Sequence, residues 1–143
     1  LSVLVVIAAS FALGTAMTKT GAAQGLAGLM LGGAGLSPWL ALALVYLLTS
    51  LFTEFITNNA AAVLMFPVAL ALATQLGVSP LPYAITIMFA ASASFMSPIG
   101  YQTNLMVMGP GGYQFTDYLR LGLPLNILVG ITTVGIIPLF WSF

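Results

Sequence analysis

Two short polar stretches carry the residue types that could do chemistry in this chain. The first is Thr53-Glu54-Phe55-Ile56-Thr57-Asn58-Asn59, set between the apolar runs Pro38–Phe52 and Ala60–Leu76. It contains one of the chain's two acidic residues, with two threonines and two adjacent asparagines beside it. The second is Ser97-Pro98-Ile99-Gly100-Tyr101-Gln102-Thr103-Asn104, which interrupts the apolar run Leu81–Met108. A carboxylate or a carboxamide in an apolar medium is costly unless something pairs with it. Both stretches are therefore expected to hold something polar inside a membrane.

The backbone at each interruption says what that something could be. A helix ending near Phe55 leaves carbonyls without intrahelical partners, and a helix starting near Ala60 leaves N–H groups without them. The carbonyl end is partly negative and suits a cation, whereas the N–H end is partly positive and suits an anion. Asn59 can cap the new helix through its side chain, and Thr57 adds a hydroxyl. At the second stretch carbonyls near Phe95 and Met96 are freed and Pro98 prevents continuation. Gly100 permits close backbone approach, and Thr103 and Asn104 cap a short helix over Leu105–Met108. Two interrupted elements with their ends aimed at one midplane point are the pattern of a secondary transporter's binding site. Glu54 stands apart from this scheme, as either a functional group or an ion-pair partner, and neither Lys19 nor Arg120 is placed to meet it. Ser92 and Ser94 read as small packing positions.

The elements that must position these stretches are helices in a bilayer. The chain is 61% hydrophobic and 3% charged, against about 25% charged in a soluble domain. The fold class expected is an all-α integral membrane protein with a re-entrant helical hairpin and a broken transmembrane helix. Long unalternating runs such as Leu121–Phe143 exclude a transmembrane β-barrel. With no cysteine and no histidine, disulfides, thiolate metal sites and the usual general base are excluded, and no nucleophile–base pair marks an enzyme. Zero net charge without a basic tract excludes a nucleic-acid partner. The chain opens directly into an apolar run, without the charged region of a signal peptide, and is expected to be the C-terminal part of a larger protein.

In order, the sequence predicts a transmembrane helix over 1–18, an interfacial segment over 20–37 and a hairpin over 38–76. A broken transmembrane helix over 81–108 and a final transmembrane helix over 121–143 follow. The hairpin's limbs are Pro38–Phe55 and Ala60–Leu76, with Gly77-Val78-Ser79-Pro80 as the turn out. The 81–108 element is expected to run as a helix to Met96 and to end at Gly109-Pro110-Gly111-Gly112. Tyr113–Arg120 reads as a polar segment at the membrane interface.

The motifs resemble those of the divalent anion/sodium symporter family, within the ion transporter superfamily that includes citrate carriers. Thr53-Glu54-Phe55-Ile56-Thr57-Asn58-Asn59-Ala60 resembles the family's C-terminal hairpin signature, an acidic Glu-Phe pair followed by Ser-Asn-Thr. Ser94-Phe95-Met96-Ser97-Pro98-Ile99-Gly100-Tyr101-Gln102-Thr103-Asn104 resembles its second signature, and Gly14-Thr15-Ala16-Met17-Thr18-Lys19-Thr20-Gly21 resembles the segment before the hairpin. The resemblance covers essentially the whole chain and places it as the second of two inverted repeats. It implies a sodium site built from Thr53, Ile56, Asn58, Gly100 and Gln102. It implies a substrate site built from Thr57, Asn58, Asn59, Gly100, Tyr101 and Gln102, with the other half from a first repeat. It also implies a homodimer and an elevator-like shift of the hairpin and broken helix.

Two departures bear on the substrate. Thr57-Asn58-Asn59 stands where the family has Ser-Asn-Thr, and Gly100-Tyr101-Gln102-Thr103-Asn104 stands where it has Ala-Thr-Pro-Pro-Asn. These resemble the branch with regulatory cytoplasmic domains between the repeats, which includes sulfate-type transporters. The function expected is sodium-coupled symport of a small inorganic or carboxylate anion, sulfate before di- or tricarboxylate. No cofactor is expected beyond sodium as coupling ion. The location expected is the cell membrane, multi-pass, or the inner membrane in a bacterium. A channel or pore-forming subunit is the competing expectation, although filters usually need a symmetric ring.

Overall fold

The computed structural model describes residues 2–32 and 36–143. Position 1 of the expected first helix and positions 33–35 of the expected interfacial segment lie outside the described residues. Among those described, the chain folds into seven helices and no strands. They are α1 (Ser2–Lys19), α2 (Ala22–Leu31), α3 (Pro38–Phe55), α4 (Asn58–Leu76), α5 (Leu81–Ser92), α6 (Gln102–Gly111) and α7 (Phe115–Phe140). Helices α3, α4 and α7 are long and apolar enough to cross a membrane.

Local chemistry sets most of the ends. The Ser37 hydroxyl accepts from the Leu40 N–H at 3.4 Å, with Pro38 in the first turn, so α3 starts with a side-chain cap and a residue whose fixed φ suits that position. Helix α4 ends on Gly77 at φ 67°, whose N–H and that of Val78 return to the Ala73 and Thr74 carbonyls. This left-handed closure favours glycine. It turns the chain outward into α5 at the expected place.

Helices α3, α4 and α5 pack against one another in pairs. Their shared core is Leu42, Val45, Met65, Val68, Leu72, Tyr83 and Ile87, with alanines between that let the backbones approach. Helices α1 and α2 lie against α4, and α7 lies against α3 and α5. A second buried cluster of Tyr46, Ala90 and Ala93 seals the α7 side, with Phe95 and Val129 against it. The outward faces carry exposed Leu47, Phe66, Met88, Leu128, Ile131 and Leu139, as expected where the solvent is lipid.

Several boundaries differ from the sequence expectation, the start of α4 at Asn58 rather than Ala60 among them. Helix α5 stops at Ser92 rather than running to Met96. Helix α6 begins at Gln102 and runs through Pro110 to Gly111. Helix α7 begins at Phe115, six residues before Leu121, because Gln114 and Asp117 form a reciprocal capping box. The stretch read as polar and interfacial is thus mostly the first turns of the last helix.

Candidate functional site

The tip between α3 and α4 is two residues, Ile56 and Thr57, both extended. The Ile56 N–H donates to the Phe52 carbonyl at 2.9 Å, closing α3. Thr57, not Asn59, is the N-cap of α4: its hydroxyl accepts from the Ala60 N–H at 3.4 Å. The expected cap moves by two residues because Asn58 and Asn59 are already helical and Thr57 is the last extended residue before them. Asn58 is half-buried and its Oδ1 accepts from the Asn59 N–H at 2.8 Å.

The break between α5 and α6 spans residues 93–101, and it is folded around the end of α3. The Thr53 hydroxyl donates to the Ala91 carbonyl at 2.8 Å. The Ser94 hydroxyl donates to the Thr53 carbonyl at 3.2 Å, and the Ser97 hydroxyl donates to the Glu54 carbonyl at 2.7 Å. These are carbonyls of the last turn of α3, which the helix itself leaves without partners. Each keeps a second lone pair. The Ser97 hydroxyl also accepts from the Gly100 N–H at 3.2 Å. Ser94 is therefore a hydrogen-bonding member of the break rather than a packing position, and only the exposed Ser92, bonded to the Met88 carbonyl at 2.9 Å, is confined to its own helix.

Glu54 explains why α5 ends early. Its carboxylate is buried, and Oε1 accepts from the Phe95 N–H and the Met96 N–H at 3.1 Å each and from Asn126 Nδ2 at 3.2 Å. The partner of this acid is therefore backbone N–H, and no salt bridge to it occurs among the described residues. Two amides that would have continued α5 are drawn to α3 instead. Asn126, in the middle of α7, also accepts from the Ser50 hydroxyl at 2.9 Å and lies beside the Tyr46 hydroxyl at 3.4 Å. Sequence reasoning missed Asn126, although an amide inside the run Leu121–Phe143 is itself a signal.

Two glycines let backbone meet backbone here. A β-carbon on Gly100 would overlap the Thr53 carbonyl oxygen and the Ser94 hydroxyl, and one on Gly122 would overlap the Phe95 carbonyl. The break is thus clamped between α3 and α7.

Helix α6 starts without a side-chain cap. Tyr101 stands at its N-cap, and the Tyr101 carbonyl accepts from the N–H groups of Asn104 and Leu105. The first-turn N–H groups of Gln102 and Thr103 have no intrahelical acceptor by position. Asn104 does not cap α6. Its Nδ2 reaches back to the Ser94 carbonyl at 3.0 Å and the Ser97 carbonyl at 3.3 Å, while its own carbonyl accepts from the Tyr118 hydroxyl at 2.8 Å.

The starts of α4 and α6 open on one cavity of about 620 Å³, within the range of about 300–1,000 Å³ usual for ligand clefts. Thr57, Asn58, Asn59, Gly100, Tyr101, Gln102 and Thr103 line it, with Ala9 and Leu13 of α1 and Val63 and Leu64 of α4. The six residues expected to touch substrate are therefore brought together. No charged side chain lines it among the described residues. Of the five expected around sodium, Asn58, Gly100 and Gln102 line the cavity. Thr53 is buried behind Gly100, and Ile56 sits at the tip without lining it.

The profile of the citrate transporter family matches residues 1–143. An uncharacterised transporter of Synechocystis is 46% identical over 141 residues, covering 98% of this chain and 23% of that protein. Sodium/sulfate cotransporter 1 of Chlamydomonas reinhardtii is 37% identical over 124 residues, covering 85% of this chain and 14% of the relative. Human solute carrier family 13 member 4 is 27% identical over 140 residues, covering 98% and 22%. The chain thus spans about a quarter or less of the length of the relatives it matches.

Proposed function

The chain belongs to the citrate transporter family, and from that premise we propose that it forms part of a sodium-coupled symporter of a small divalent oxyanion, sulfate before di- or tricarboxylates. It is a multi-pass membrane segment of a transporter, not an enzyme. The observation that carries the anion is the meeting of two helix N-termini, at Asn58 and Gln102, in a cavity with no charged side chain among the described residues. The Gln102 and Thr103 N–H groups of α6, with the dipoles of both helices, would hold an anion there without a fixed cation, while the Asn59 and Ala60 N–H groups of α4 are taken up by Asn58 and Thr57. The sodium would supply the positive charge.

Three things favour sulfate. Asn59, Gln102 and Thr103 put side-chain donors on the cavity wall, and such a wall suits a compact anion that accepts on every side. The family's two prolines would remove two backbone N–H groups from this loop. Sodium/sulfate cotransporter 1 shares 37% identity over 85% of the chain. For sodium, the donors offered near Thr53, Ile56, Asn58, Gly100 and Gln102 are carbonyl and amide oxygens, hard ligands suited to a hard cation. The other half-site is assigned to an N-terminal inverted repeat of the same protein, and the working unit to a homodimer.

Competition tests the substrate. Sodium-driven uptake of labelled sulfate by the full-length protein is measured with excess thiosulfate, succinate or citrate. The expected result is inhibition by thiosulfate and little by succinate. The reverse pattern restores a dicarboxylate, and uptake indifferent to sodium removes the symport.

A further inference from the structure

Glu54, the buried acid in the last turn of α3, does not line the cavity, and the site described above makes no use of it. Yet three donors from two other parts of the chain converge on one of its oxygens. Oε1 takes the N–H groups of two consecutive residues of the break, Phe95 and Met96, and Asn126 Nδ2 from α7. Oε2 meets only the Ser94 hydroxyl, at 3.5 Å. Lys19, Asp117 and Arg120, the other charged residues, are all exposed. So the acid is fixed by hydrogen bonds and not by a counter-charge among the described residues.

We infer that Glu54 is a positioning residue for the cavity, setting the place of the Gly100–Gln102 wall by holding the Phe95 and Met96 amides on a single carboxylate oxygen. From Phe95 and Met96 the non-helical chain leads through Ser97 to Gly100. The Ser97 hydroxyl, which accepts from the Gly100 N–H, itself donates to the Glu54 carbonyl. Main chain and side chain of one residue thus fix both ends of this path. If Oε1 withdraws, two part-buried N–H groups lose their acceptor. Residues 95–100 are then released to rearrange, and the α6 N-terminus moves with them. What matters in this arrangement is the reach and place of one acceptor oxygen, not the charge behind it. A glutamine keeps that oxygen, and its Nε2 faces the Ser94 hydroxyl, which can accept. An aspartate keeps the charge but is one methylene too short.

This contrast is the test, on the full-length protein in lipid nanodiscs and proteoliposomes. It rests on the anion-site reading only for its kinetic arm. In that arm, Glu54→Gln is expected to keep the sulfate KM within about threefold of the parent. Glu54→Asp is expected to raise KM about tenfold or more with a smaller change in kcat, tenfold corresponding to about 1.4 kcal/mol. In the second arm, amide hydrogen exchange of the peptide covering residues 93–101 should be fast in Glu54→Asp and parental in Glu54→Gln. That arm needs no substrate. If sulfate is not transported at all, exchange alone decides the role of Glu54. The inference is overturned if Glu54→Asp behaves as the parent, if Glu54→Gln is as impaired as Glu54→Asp, or if exchange at 93–101 is the same in all three.

Discussion

Gly100 and Thr53 meet through backbone alone: a β-carbon on the glycine would overlap the Thr53 carbonyl oxygen. That contact joins the wall of the cavity to the last turn of α3. Gly100→Ala in the full-length protein should push the two apart, at a cost of about 1–3 kcal/mol for overpacking. Both a lower melting temperature and a large loss of uptake are expected. Gly14→Ala, where a β-carbon meets nothing within 4 Å, should leave both measurements near the parental values. Parental uptake by Gly100→Ala would mean that the close approach is dispensable.

Asn58 stands in the first turn of α4 on the cavity wall, with Oδ1 engaged by the Asn59 N–H. Its amide serves the cation and the anion in the proposed site. Asn58→Ala should abolish coupled uptake while the amount of protein at the membrane is unchanged. Ser92→Ala, which removes only a bond within α5, should transport normally. Normal coupled uptake by Asn58→Ala would make the tip merely structural.

Gln102 offers a cleaner probe of the helix-end anion site. It is the first residue of α6, and Tyr101 before it is extended at φ −131°, ψ 125°. A proline is at home in that first-turn position and tolerates an extended predecessor. Gln102→Pro should therefore fold, yet it removes one N–H from the cavity together with the amide side chain. A hydrogen bond to a charged group contributes about 1.5–3 kcal/mol, so the sulfate KM should rise about tenfold. Gln102→Ala, measured alongside, separates the backbone from the side chain. Equal KM values for the two variants would remove the backbone N–H from the account.

Asn104 and Tyr118 form a chain of bonds that ties α7 to the break. Asn104→Ala frees the Ser94 and Ser97 carbonyls, and Tyr118→Phe frees the Asn104 carbonyl. Each change should lower the unfolding free energy by about 1–2 kcal/mol. The double variant should lose less than the sum, as expected for partners in one network. Strict additivity in thermal or denaturant unfolding would show that the two act separately.

What the sequence discloses here follows the range of the interactions. Thr57, Asn58, Asn59 and the Gly100–Gln102 loop are visible as polar interruptions of apolar runs, and they line one cavity. The turn at Gly77 is visible for the same local reason. The start of the break at Ala93 is not visible, because nothing in Ala91-Ser92-Ala93-Ser94 resists a helix. It is set by Glu54, some forty residues earlier in the chain. Asn126, 72 residues from the acid it bonds, looks in isolation like one polar residue in a long apolar run. The capping box at Gln114 and Asp117 is local, but it is hidden by reading a polar cluster as a loop.

The way α3 relies on the break has a consequence for how the protein is made. When α3 and α4 have left the ribosome, the groups that satisfy Thr53 and Glu54 have yet to be synthesised: Ser94, Phe95, Met96 and Ser97 first, and Asn126 later still. Until they arrive, a carboxylate and two last-turn carbonyls stand at the end of α3 without protein partners, a condition tolerated only beside water or protein. The hairpin therefore has good reason to wait at the translocon or the bilayer surface. The order of synthesis predicts that the end of α3 settles only once residues 94–97 have been made.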